Sequence, residues 1–429
     1  MLVSFQVSNY RSFGEEQRLS LVASQDRAHP THLYLRRSGE RLLKSAALYG
    51  KNASGKSNLI SAMQCLRTLV VDSATRWNAG DAIPGITPFR LDLTLRDKPS
   101  RFVIIISIDA HHFEYGVEAS PTHIVSEWLT EMPTRRWFSR RRLETGAYQT
   151  KFGGPLEEDG KLIGEKTRDN ALLLSVGSLL NNAHLSRLYS WFRDRLRVVD
   201  MSDTPNALIN RTSAQMHKDK VLQEKILTLI GDADFGIERL NIIDSPADFP
   251  FSDSEAKRRF PDEFIKQWHV ANRKFDLRAV HRCLPGNDTV DFDFLQDESK
   301  GTQRLLAIAG PLLTAIANGS LVAVDEFDCS LHPLLTRTIL KYFHAETGVD
   351  SGAQIILATH DATLFSPGVF RRDELWLVDK YDSAQSQLTS LHDFAENRST
   401  AAFQRNYLQG RYGGIPQFGE MLDRPDTSE

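Results

Sequence analysis

Leu48-Tyr49-Gly50-Lys51-Asn52-Ala53-Ser54-Gly55-Lys56-Ser57-Asn58 fits the phosphate-binding pattern G-x-x-x-x-G-K-[ST] at every fixed position. The small apolar run Ser45 to Tyr49 before it reads as a buried strand, and Asn58 to Leu66 after it as an amphipathic helix. Strand, loop and helix in that order are the context the pattern requires. Gly50 and Gly55 let the backbone N–H groups between them, at Asn52, Ala53 and Ser54, turn inward around a polyphosphate. The helix N-terminus near Asn58 adds a favourable partial charge. Lys56 would then reach the β- and γ-phosphates, and the Ser57 hydroxyl would face Mg²⁺.

Composition narrows the remainder. A chain of 429 residues is expected to form two or three packed units, or a discontinuous head with an inserted lobe. Apolar and charged fractions of 41% and 25% are ordinary for a globular protein, and the formal charge of −3 supplies no global attraction to nucleic acid or membrane. Cys65, Cys283 and Cys329 lack C-x-x-C spacing, which argues against a disulfide framework or zinc site and for a reducing compartment. Met1 to Val7 is too short and too alternating for a signal peptide, and no apolar run reaches membrane-spanning length. A cytoplasmic protein without a membrane partner is expected.

Along the chain, Leu2 to Val7 and Arg18 to Ala23 read as paired strands. Asn9, Arg11 and Ser12 lie on the connection between them, which would return towards the phosphate loop and could offer a guanidinium to a phosphate oxygen. Phe89 to Leu95, Arg101 to Ile108 and His112 to Val117 alternate as strands of an antiparallel sheet. The basic stretch Arg135, Arg136, Trp137, Phe138, Arg140, Arg141, Arg142 could track a nucleic-acid backbone, DNA or RNA, while an aromatic ring stacks on a base; a solvated strand face is the plainer alternative. From Asn170 to about Pro285 helical periodicity takes over, without the sustained heptads of a long coiled coil. The expected division is therefore 1–169, an α-helical lobe at 170–285, and 286–429.

The last third supplies three further motifs. Ser299 and Gly301, in Ser-Lys-Gly-Thr-Gln, stand before an apolar helix and would present a hydroxyl, backbone N–H groups and a helix dipole to an anion. Leu321-Val322-Ala323-Val324-Asp325-Glu326 is a buried strand ending in two carboxylates: Asp325 would hold Mg²⁺ through water, and Glu326 would deprotonate the water attacking the γ-phosphate. Gln354 to Ala358 is another buried strand, delivering His360 to the end where open α/β sheets bind ligands.

As a set these motifs, with Asp328-x-x-Leu331-His332-Pro333 and Thr359-His360-Asp361, resemble the ABC-type ATPase heads of the RecF, SMC and overcoming-lysogenisation-defect (OLD) branch. Asn9-Tyr10-Arg11-Ser12-Phe13 resembles that branch's nucleotide-contacting N-terminal segment. Asn170 to Ser175, Arg372 to Trp376 and Tyr407-Leu408-Gln409-Gly410-Arg411-Tyr412-Gly413-Gly414-Ile415-Pro416 resemble bacterial ATP-binding proteins of the RloA and abortive-infection kind. The resemblance implies an α/β P-loop head with a mixed sheet, an antiparallel β subdomain and an inserted α-helical lobe, using ATP and Mg²⁺. It implies Asp325 as Walker B carboxylate, Glu326 as catalytic base, His360 as switch histidine, Asp328 on an interface loop, and Ser299 and Gly301 as signature residues. The family's glutamine-bearing loop has no assigned position in this sequence.

In such heads the signature serves the nucleotide of a second copy, so a homodimer or higher homo-oligomer with composite ATP sites is implied. Two functions follow as expectations. One is an ATPase that senses or regulates a separately encoded effector, expected to be a nuclease, in anti-phage defence; the carboxylate-rich nuclease domain of fused OLD proteins has no room after His360. The other is a RecF-like DNA-repair ATPase using the arginine strip.

Overall fold

A computed structural model describes residues 1–36, 39–109, 111–200, 205–232, 236–246, 251, 255, 258–271, 273–286, 288–347, 351–380, 384–394 and 403–415. The chain forms two compact units, one of Met1–Asp200, Ala315–Asp328 and Thr336–Glu429, the other of Met201–Thr314 and Cys329–Leu335. The first unit opens with strands β1 (Leu2–Ser8), β2 (Gln17–Ser20), β3 (Leu33–Leu35), β4 (Arg41–Leu43) and β5 (Ser45–Tyr49) and helix α1 (Lys56–Asp72). It continues through β6 (Ser100–Ile108), β7 (His111–Ala119), β8 (Ile124–Glu131), β9 (Arg135–Arg142) and β10 (Tyr148–Phe152). Helices α2 (Gly160–Lys166), α3 (Leu173–Leu179) and α4 (Ala183–Ser190) and strand β11 (Leu196–Asp200) complete this half.

The second unit holds α5 (Pro205–Lys218), α6 (Lys220–Asp232), β12 (Ile237–Pro246), α7 (Asp262–Ala271), β13 (Arg273–Arg282) and β14 (Thr289–Asp293). Its helices are accompanied by an antiparallel sheet, β12-β13-β14, two of whose strands fall within the stretch read as helical. Helix α8 (Lys300–Asn318) starts in this unit and ends in the first. The chain then runs through β15 (Leu321–Asp325), α9 (Pro333–Glu346), β16 (Gln354–Ala358), β17 (Leu375–Lys380), β18 (Ser386–Ser390) and α10 (Phe403–Leu408). No helix among the described residues is long and apolar enough to cross a membrane.

Two sheets organise the first unit. In one the order is β11-β15-β16-β5-β17-β18, with every neighbouring pair parallel except β17 and β18. β5, β15 and β16 are buried along their whole length, the pattern of strands covered on both faces, which explains their unbroken apolar text. The other sheet is antiparallel, in the order β10-β9-β8-β7-β6-β1-β2.

The stretch Phe89 to Leu95 is a correction: it turns instead of forming a strand. Asn9 explains why, because its Nδ2 donates to the carbonyls of Leu95 (2.9 Å) and Lys98 (2.8 Å) while its Oδ1 accepts from Phe89 N–H (3.0 Å). Asp92 Oδ1 also accepts from the N–H and hydroxyl of Thr94, both at 2.8 Å. With local side chains holding the backbone in turns, Leu91 and Leu93 remain 72% and 76% exposed.

The basic strip on β9 is divided by the pleat. Arg135, Arg136 and Arg141 are exposed, but Trp137, Phe138 and Arg140 are buried, so neither aromatic ring is available to stack on a base. Arg140 donates to the carbonyls of Ala171 (2.8 Å) and Arg168 (2.9 Å) and lies 3.7 Å over the Tyr148 ring. Beside it, the buried Glu127 accepts from the N–H groups of Leu173 (2.6 Å) and Leu174 (3.0 Å) and from Tyr115 Oη (2.9 Å). Asn170-Ala171-Leu172-Leu173-Leu174 is thus the start of a short helix held by groups from the antiparallel sheet. Likewise Asp373 and Glu374 are structural: Asp373 pairs with the buried Arg371 (2.8 Å), and Glu374 accepts from Ser45 Oγ at 2.6 Å and contacts His32 Nδ1 at 2.9 Å.

Candidate nucleotide-binding site

Four parallel strands deliver the candidate residues to one edge of their sheet. β5 ends in the phosphate loop, β15 in Asp325 followed by Glu326, β16 two residues before His360, and β17 in Lys380. All these residues line one cavity of about 410 Å³, together with the loop residues from Asn52 to Asn58. This is where open α/β sheets place their ligands.

Within the cavity, Lys56 Nζ donates to the carbonyls of Gly50 (2.7 Å) and Lys51 (3.3 Å), which aims the ammonium along the loop. Burial lowers its pKa to about 8, against the opposing pull of Asp325, Asp328 and Glu326. Ser57 is a hydrogen-bonding neighbour that lowers the Asp325 pKa. Burial raises the Asp325 pKa more than this hydrogen bond lowers it. The next residue, Glu326, has left-handed backbone (φ 51°) and is exposed, and its N–H donates to Asp325 Oδ1 at 3.1 Å. Desolvation, then the Lys56 ammonium, hold the His360 imidazole below its usual pKa.

These residues fit a polyphosphate with Mg²⁺. A Cβ on Gly50 would strike the Val378 carbonyl oxygen, and one on Gly55 (φ 118°) would strike Ser386 Oγ, so only glycine lets the loop fold this tightly. Ser54 Oγ is buried without a protein hydrogen-bond partner, leaving a donor for a bound group. A hydroxyl beside a carboxylate, as at Ser57 and Asp325, is oxygen chemistry suited to Mg²⁺.

The remaining predicted residues stand elsewhere. Asn9 is committed to the 89–99 turns, as described above. Ser12 Oγ accepts from Asn58 Nδ2 and Ser386 Oγ, both at 2.7 Å, and so braces the loop from the side. Arg11, Ser12, Asn58 and Lys380 line a separate recess of about 330 Å³. Asp328 accepts from the His360 N–H. Ser299 and Gly301 lie in the second unit, where Ser299 Oγ caps α8 by accepting from Thr302 N–H at 3.1 Å.

Lys380 is the cavity residue that sequence reasoning missed. Its signal was present: Leu375 to Val378 is an apolar strand, and the rule that drew attention to Asp325 and His360 applies equally to a cation at that strand's carboxyl end.

Residues 45–366 match the family model described as "AAA domain, putative AbiEii toxin, Type IV TA system". The chain belongs to this family. No curated protein matches it. Solved structures similar to it include an SMC head bound to the C-terminal winged-helix domain of ScpA, at 14% identity over 91% of this chain and 97% of that one, with a TM-score of 0.46. Another is the SMC head domain from Thermotoga maritima, at 13% identity over 91% and 98%, with a TM-score of 0.41. In this AbiEii-type AAA domain, the matched span runs from the first residue of β5 past His360, so it contains every residue named above as lining the 410 Å³ cavity except Lys380. Within the matched span the phosphate loop, the strand ending in Asp325 followed by Glu326, and His360 follow one another in that order.

Proposed function

We propose that this chain binds and hydrolyses ATP, that two copies close head to tail around two nucleotides, and that the closed state controls a separate effector in anti-phage defence. The observation that carries the ATPase reading is the convergence of Lys56, Ser57, Asp325, Glu326 and His360 on one cavity. Lys56 and the loop N–H groups bind and orient the phosphates. Ser57 and Asp325 would hold Mg²⁺, which would supply positive charge to the phosphates. Glu326, exposed within the cavity, takes the proton of the attacking water, and His360 offers a hydrogen bond to the γ-phosphate side.

Head-to-tail closure is supported by the signature, Ser299 and Gly301 at the start of α8, which is a second phosphate-binding element of the kind ABC-type heads present to a partner's nucleotide. The effector reading draws on the family description, which names a toxin–antitoxin system, a class built from paired proteins. Burial of Trp137, Phe138 and Arg140 takes both aromatic rings and one of the five arginines out of the strip on which the DNA-repair alternative relied.

The test is co-purification with proteins encoded beside this chain, for wild type and Glu326→Gln. A stoichiometric partner whose retention changes with the mutation is expected. The regulator reading fails if the pure chain alone degrades DNA or RNA with Mg²⁺, or if it carries nucleic acid and no partner in both forms.

A further inference from the structure

The motif Tyr407-Leu408-Gln409-Gly410-Arg411-Tyr412-Gly413-Gly414 takes no part in the chemistry above, yet it is seated against the phosphate loop. Gly413 and Gly414 have left-handed backbone (φ 74° and 73°), and the Gly414 N–H donates to Asp379 Oδ2 at 2.9 Å. The other oxygen of that carboxylate, Oδ1, lies 3.0 Å from Lys51 Nζ, inside the phosphate loop. One carboxylate therefore ties a turn more than 30 residues further along the chain to the loop. The backbones also meet: a Cβ on Gly414 would lie 3.5 Å from Gly50 Cα.

An aromatic cluster fixes the turn in place. Tyr407 stacks on Phe365 (4.7 Å between centroids, 16° between planes) and meets Tyr49, the last residue of β5, edge-on at 5.6 Å. Its hydroxyl donates to the Gly414 carbonyl at 3.4 Å. Tyr412, also buried, accepts from Asn406 Nδ2 at 3.2 Å. Although partial desolvation of Asp379 opposes it, hydrogen bonds from Gly414 N–H and Lys51 hold the carboxyl below its usual pKa and therefore ionised at neutral pH.

The geometry points to Asp379 as a positioning residue: with Lys51 and the Gly413-Gly414 turn, none of them lining the cavity, it clasps the phosphate loop and sets the loop's shape for a nucleotide. This rests on the nucleotide reading of the loop. It also gives the C-terminal motif a task, because a loop held in its binding shape loses less freedom when phosphates arrive.

Hydrogen–deuterium exchange on the full chain without nucleotide tests it, with Asp379→Ala, Asp379→Glu and Lys51→Gln. In Asp379→Ala, amides of 50–57 and 403–415 are expected to exchange about tenfold faster, the scale of a lost charge-assisted hydrogen bond, while 354–358 stay unchanged. Lys51→Gln, a change at a half-exposed side chain, should loosen 50–57 without loosening 403–415, and Asp379→Glu should restore protection in part. Affinity for a fluorescent ATP analogue should fall about tenfold in Asp379→Ala, in step with the loosened loop. Unchanged exchange of 50–57 in both Asp379→Ala and Lys51→Gln overturns the clasp. Failure of the wild type to bind the analogue overturns the nucleotide reading instead, and the exchange result still decides the clasp.

Discussion

The backbone N–H of His360 faces both carboxylate oxygens of Asp328, at 3.2 and 3.3 Å. One residue earlier on the same turn, Phe327 N–H donates to the Ala358 carbonyl at 2.9 Å. The segment after β15, which carries Glu326, and the segment after β16, which carries His360, are therefore latched together. Glu326 and His360 are thus carried on one hydrogen-bonded unit.

Breaking the latch should affect turnover more than binding. Asp328→Ala is expected to lower kcat about tenfold with KM within about twofold, since a misplaced histidine costs transition-state contacts while Lys56 and the loop still hold the phosphates. Steady-state ATPase kinetics check this; a rise in KM with kcat unchanged would contradict it.

The lowered pKa of Lys56 makes nucleotide binding sensitive to alkali. A lysine near pKa 8 in the nucleotide-free protein loses its charge as pH rises through that value. Bound phosphate favours the charged form, so affinity should weaken by about tenfold between pH 7 and pH 9 as the competent fraction falls. Titration with a non-hydrolysable ATP analogue across that range measures the slope. Lys56→Arg, which stays charged, should flatten it.

Metal dependence should follow the Ser57 and Asp325 pair. Ser57→Ala removes a hydroxyl from the edge of the loop without creating a buried charge, and is expected to raise the Mg²⁺ concentration needed for half-maximal turnover by about tenfold. Magnesium titrations of ATPase activity at saturating nucleotide provide the readout.

Arg140 should matter for stability and not for nucleic acid. Arg140→Ala leaves Glu127 buried without its cationic neighbour and takes the guanidinium donor from the carbonyls of Thr167, Arg168 and Ala171, a loss expected to cost about 3 kcal/mol or more. Urea unfolding measures it. The exposed Arg135→Ala should change stability by less than about 0.5 kcal/mol.

Much of the candidate site was legible because its residues sit at the ends of locally readable strands. Ser45 to Tyr49, Leu321 to Asp325 and Gln354 to Ala358 are short, fully apolar and buried, and each announces its functional residue within a few positions. The failures have non-local causes. Phe89, Leu91, Leu93 and Leu95 alternate like a strand, but Asn9, some 80 residues earlier, captures the surrounding carbonyls. Arg140 and Trp137 read as surface until the pleat of β9 and the arrival of residues 167–171 decide which side is buried. Lys380 reaches the cavity only because β17 pairs in parallel with β5 across more than 300 residues of sequence.

The central claim is nucleotide-driven closure with Glu326 as the base, and sizing by light scattering tests it most directly. Glu326→Gln, with ATP and Mg²⁺, should bind nucleotide, lose turnover by at least about a hundredfold, and run at twice the mass of the nucleotide-free chain or more. The same variant remaining a monomer with ATP bound would contradict the account.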